Sequence, residues 1–162
     1  MKENKIKALK CLWKEAKLYS KLYYETEDKF EKNTYVKHFR SPIFDETNVT
    51  FFKKDYISLK AFNKEGRITD EHCNGRTNCA KKIFEKIFLG EINTFEEFID
   101  FLKNYCYTIK ILSEENTSVS VYLKKNKDKN FIEAYNELGI IICDKKGNII
   151  KDIIKEIDLP VI

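Results

Sequence analysis

Histidine is the side chain best suited to moving a proton near neutral pH, and the chain has two, His38 and His72. His38 sits among bulky residues in Tyr35-Val36-Lys37-His38-Phe39-Arg40 and reads as a packed or surface loop residue. His72 stands beside Asp70 and Glu71 and four residues before Arg76. Thr69 is placed to cap a short helical turn, which puts His72 and Arg76 on one face at i,i+4. An acid/base group would then lie beside a permanent cation able to grip a phosphate. The expected roles are His72 as general base and Glu71 or Asp70 as its orienter or a metal ligand. Arg76 would clamp phosphate, Lys81 and Lys82 would add positive charge, and Asn116 would be a supporting polar group. The competing structural reading takes Thr69-Asp70-Glu71 as an ordinary helix start, where acidic residues favour the dipole.

Other chemistries lack their signatures. There is no Walker or dinucleotide glycine loop and no Gly-x-Ser-x-Gly elbow. Cys73 beside His72 is a weak nucleophile candidate, because sequence neighbours usually point apart. Cys73 and Cys79 lack the second pair that a zinc knuckle needs. The metal ligands are unknown, and a divalent metal is compatible with the acidic residues. The five cysteines are odd in number and lie mostly in apolar or helical stretches, so they read as reduced thiols of a cytoplasmic protein.

The elements that must position these residues follow from periodicity. Residues 3–32 carry Ile6, Leu9, Leu12, Trp13, Ala16, Tyr19, Leu22, Tyr23 and Phe30 at helical spacing, which predicts one long N-terminal helix. Residues 33–48 read as a connection, with Pro42 pushing Ser41 out of the helical region. Helices are expected over 54–64, ending at Gly66, and over 77–89, ending at Gly90. Thr94-Phe95-Glu96-Glu97 is a capping box. Its helix should bury Phe95, Phe98, Ile99 and Leu102. Residues 106–112 alternate as a strand, and Ser113 opens a helix over 114–124. A further helix covers 129–138, and Ile140–Cys143 is a short strand. It turns at 144–147 into a hairpin. Phe84, Ile87, Phe98, Leu102, Ile109 and Ile111 are the expected core. The fold class is α+β: a mostly α-helical single domain over residues 1–162 with a small antiparallel β-sheet or hairpin.

Composition agrees with that class. Of 162 residues, 43% are hydrophobic and 12 are Phe, enough for a core and against disorder. Thirty Lys and Arg against 26 Asp and Glu leave a charge of +4, which permits nucleic-acid contact without demanding it. Lys81, Lys82 and Lys86 form one cluster, and Lys124, Lys125, Lys127 and Lys129 another. No apolar run nears the ~18 residues of a membrane span, and the first residues do not form a secretory signal.

Three segments occur in order: Ile68-Thr69-Asp70-Glu71-His72, Leu112-Ser113-Glu114-Glu115-Asn116, and Ala134 to Ile140. This order resembles small, uncharacterised prokaryotic and phage proteins with a Thr-x-Glu-His turn and a later Glu-Glu-Asn helix start. It also resembles the HNH nucleases, whose acidic-His segment precedes an Asn-bearing element. The resemblance implies a small nucleic-acid-acting protein of phage or mobile-element type, a nuclease using the His72 site. The alternative is a non-catalytic, anti-CRISPR-like protein that binds and inhibits a bacterial defence system. A third reading is an assembly protein that forms a homodimer through the N-terminal helix. Expected partners are nucleic acid or a nucleic-acid-bound protein complex, with no membrane.

Overall fold

A computed structural model describes residues 3–43, 53–106 and 108–150. The N-terminal periodicity forms two helices, α1 (Glu3–Glu25) and α2 (Lys29–Ile43), where a single helix over 3–32 was expected. The break has a local cause. Asp28 Oδ1 accepts the backbone N–H groups of Phe30 (2.6 Å) and Glu31 (3.1 Å), capping a new helix start. Thr26 secures the turn by accepting the Asp28 N–H and donating its hydroxyl to Glu31 at 2.6 Å. Residues 33–43, expected as connection, are therefore helical, with Pro42 in the last turn. Buried Val36, Phe39 and Ile43 hold that helix by packing, which outweighs the pre-proline preference at Ser41. The rest of the expected connection lies outside the described residues.

Where one helix was expected over 54–64, the chain forms strand β1 (Lys53–Ser58) and the single turn α3 (Leu59–Phe62). Ser58 ends the strand and starts the turn, its hydroxyl accepting the Ala61 N–H at 3.2 Å. The left-handed residue after α3 is Lys64, with φ 59°, and not Gly66. The Thr69 segment is likewise extended, forming β2 (Ile68–His72) in place of a helical turn. Four elements match expectation closely: α4 (Arg76–Phe88), α5 (Phe95–Tyr105), β3 (Thr108–Leu112) and α6 (Ser113–Lys125). The Thr94–Glu97 capping box is present in full. Next come α7 (Phe131–Glu137) and β4 (Ile142–Asp144), whose turn returns through a Cys143–Ile149 bridge. Gly90 and Gly139 adopt φ of 72° and 64° past the ends of α4 and α7, as helix-stopping glycines do.

The fold class is α+β and mostly helical. The sheet is mixed, in the order β2-β3-β1-β4, in place of the antiparallel sheet expected. Its central pair β1–β3 is parallel, and both flanking pairs are antiparallel. A parallel pair needs a long crossover, and here the crossover carries α3, β2, α4 and α5.

The chain divides into two compact units built from interleaved segments. The first, residues 1–52 and 75–106, holds α1, α2, α4 and α5. Leu9, Leu12, Trp13 and Ala16 line the inner face of α1, with Phe39, Phe84 and Phe98 fully buried in the same cluster. Trp13 lies 5.1 Å from the Phe98 ring, and Ser20 donates to the Phe84 carbonyl at 2.7 Å. Ile87, expected in the core, is half-buried at its rim.

The second unit, residues 53–74 and 107–162, holds the sheet with α3, α6 and α7. Ile109, Ile111, Leu112, Val119, Phe131 and Tyr135 are among its buried residues. Among the described residues, no helix is long and apolar enough to cross a membrane.

Candidate functional site

Asp70, Glu71 and His72 are consecutive on β2, an edge strand paired antiparallel with β3. Side chains alternate along a strand, and directly opposed residues share a face. Asp70 and His72 therefore lie on the face of Lys110 and Thr108, while Glu71 lies on the face of Ile109. Asp70 thus stays on the face of His72, while Glu71, the alternative orienter, lies on the other face.

Glu71 is the most perturbed of them. It is 7% exposed, and burial pushes its carboxyl up to about 7. No hydrogen bond or ion pair holds it among the described residues, so little offsets the cost of burying its charge.

Asn116 lies on the first turn of α6, after the Leu112 end of β3. His72 pairs with Thr108, at the other end of the same strand. Four strand steps, about 13 Å, separate those ends. Arg76 opens α4 in the first unit, whereas His72 ends a strand in the second. The i,i+4 face expected of His72 and Arg76 required a continuous helix and does not form. Lys81 is exposed, and Lys82 is paired with Glu85 at 2.8 Å. Lys86 is paired with Glu91. Cys73 is buried, its Sγ 3.9 Å from the Tyr135 hydroxyl. Burial also raises the Cys106 thiol well above its ordinary range, so it is a poor nucleophile. All five cysteines are free. Among the described residues, no cluster of three His, Cys, Asp or Glu is placed to hold a metal.

The second unit contains a site that the sequence did not single out. Ser58 donates to Glu115 Oε2 at 2.5 Å, and the Leu112 N–H donates to the same oxygen at 2.9 Å. Glu115 thereby joins the end of β1 to the junction of β3 and α6, and it is 7% exposed. It lines a cleft of about 240 Å³ together with Lys60, Glu114, Ser118 and the Leu138–Ile140 segment. The Ser113–Glu115 helix start was visible in the sequence. The partnership with Ser58, 57 residues away, was not.

No protein-family model and no solved structure matches the chain. It is similar to the ribosomal RNA small subunit methyltransferase E 1 of Borreliella burgdorferi, with 28% identity over 107 residues. The match covers 65% of this chain, which spans 39% of the length of that relative. The similarity corrects the functional expectation. The similarity is to an RNA methyltransferase, and neither a phage-type nuclease nor an anti-CRISPR-like inhibitor is retained. The Thr69 segment itself is a strand and not the helical turn in which His72 and Arg76 were expected to share a face.

Proposed function

We propose that the chain is an RNA methyltransferase-like protein that acts on structured RNA in the cytoplasm, where its thiols stay reduced. The observation that carries this reading is the 107-residue similarity to a ribosomal RNA methyltransferase. The charge distribution on α6 supports it. That helix begins with Glu114 and Glu115 and ends with Lys124 and Lys125, and Lys127 follows. Those three lysines are exposed, and no ion pair engages them among the described residues. Lysines free of acidic partners can neutralise phosphates and release their counterions.

The test is filter binding of small-subunit ribosomal RNA by the full chain across a range of salt. Replacing Lys124, Lys125 and Lys127 with Gln should weaken binding and flatten the log K against log salt slope by about 2 to 3. Equal affinity and equal slope for parent and variant would remove α6 as the RNA contact. Absence of RNA binding by the parent would refute the reading itself.

A further inference from the structure

The first unit carries a row of lysines that its packing does not use. Lys10, Lys14, Lys17 and Lys21 follow one another on α1 at steps of four, three and four. Those steps keep side chains on one helix face, over a length of about 16 Å at 1.5 Å per residue. All four are exposed, while Leu9, Leu12, Trp13 and Ala16 face the core. The acid within that span, Glu15, sits about a third of a turn from the row. No ion pair engages Lys10, Lys14 or Lys17 among the described residues. Lys10 and Lys17 lie over the Phe95 and Trp13 rings at 5.9 and 5.0 Å, contacts that orient an ammonium without neutralising it. Lys21 reaches Glu25 at 3.6 Å, an exposed pair worth little.

The row ends on aromatic rings. Tyr24, three residues past Lys21, stacks on Phe88 of α4 with ring centroids 4.0 Å apart and planes at 14°. Phe88 and Leu89 are each 59% exposed. With one face of the Phe88 ring on Tyr24, its exposed area is the outer face and edge. The neighbouring acids Glu85 and Glu91 are each paired, with Lys82 and Lys86. A row of cations suits a phosphate backbone, and a ring with an open face suits an unstacked base. An acidic peptide matches the lysines and leaves the ring unused. A duplex keeps its bases stacked on one another.

We infer that α1 and Phe88 form a docking surface for an unpaired stretch of RNA, its phosphates along Lys10, Lys14, Lys17 and Lys21 and a base on the outer face of Phe88. The inference rests on the RNA-directed reading for the kind of partner. It adds a contact in the first unit to the α6 lysines of the second.

Fluorescence anisotropy of the full chain tests this with three probes: a short oligouridine, a hairpin duplex RNA and poly-L-glutamate. Oligouridine should bind. Lys10→Gln, Lys14→Gln and Lys17→Gln together should flatten its log K against log salt slope by about 2, at ~0.7 per phosphate of a single strand. Phe88→Leu keeps apolar bulk and removes the ring face. It should weaken oligouridine binding at least about fivefold with the slope unchanged, and leave duplex binding as in the parent. Both variants alter exposed side chains, so the melting temperature should stay that of the parent. No oligouridine binding, an unchanged slope in the lysine variant, or parent-like affinity in Phe88→Leu would overturn the inference. Tighter binding of poly-L-glutamate than of oligouridine would also overturn it, assigning the surface to an acidic protein. Each of those results leaves retention of small-subunit ribosomal RNA, on which the functional reading stands, to be scored separately. Loss of that retention with oligouridine binding intact would refute the reading alone.

Discussion

Glu71→Gln should remove a pH dependence of stability that the fold builds in. The folded carboxyl keeps its proton up to about 7, because burial disfavours the charged form, while the unfolded carboxyl loses its proton near 4.5. Between these values the native state binds more protons than the unfolded chain, so stability falls as pH rises through this window. Below 4.5 both states are protonated, and above 7 the full penalty applies. At about 1.4 kcal/mol per pH unit, the window of roughly 2.5 units amounts to ~3 kcal/mol. Urea unfolding of parent and variant at half-unit steps from pH 4.5 to 8.5 measures it. The parent-minus-variant difference isolates Glu71 from every other titrating group. Glu97, Glu133 and Asp144 are held below their ordinary values by hydrogen bonds. Their contribution is lost only as pH falls through those depressed values, outside this window. The difference should grow in the variant's favour toward pH 8. Parallel curves would refute the burial argument for Glu71.

Other perturbations test the packing and the caps. Phe98→Ala should cost about 3–5 kcal/mol, because the ring is fully buried against Trp13; a loss below about 1 kcal/mol in chemical denaturation would place it on the surface. Asp28→Ala should cost about 1 kcal/mol by uncapping α2, and Asp28→Asn should recover most of it in the same assay. Ser58→Ala leaves the buried Glu115 short of a donor and uncaps α3, for a loss of about 1–3 kcal/mol read from thermal unfolding.

The elements legible in the sequence are those whose signals are local. The Thr94–Glu97 box and the stopping glycines Gly90 and Gly139 mark helix ends within a few residues, and the structure places them there. Asp28-Lys29-Phe30-Glu31 was an equally local start signal. It was overlooked because the apolar spacing continues across it from Tyr23 to Phe30, and periodicity alone does not register a cap. β1 and β2 were misread for a different reason. Each is only five or six residues long, and its partner β3 lies some forty to fifty residues away, so pairing decides its conformation. That misreading carried into the site. On the strand Asp70 and His72 share one face while Glu71 turns to the other, where it is buried. Glu115 was legible as a helix-start acid, but its bond to Ser58 depends on β1 lying beside β3.

Incorporation of label measures the proposed action on RNA by methyl transfer most directly. The full chain is incubated with small-subunit ribosomal RNA and S-adenosylmethionine carrying a tritiated methyl group, and acid-insoluble label is counted. Label should accumulate in the RNA with time and protein concentration. RNA that is bound by the chain yet stays unlabelled under these conditions would contradict the account.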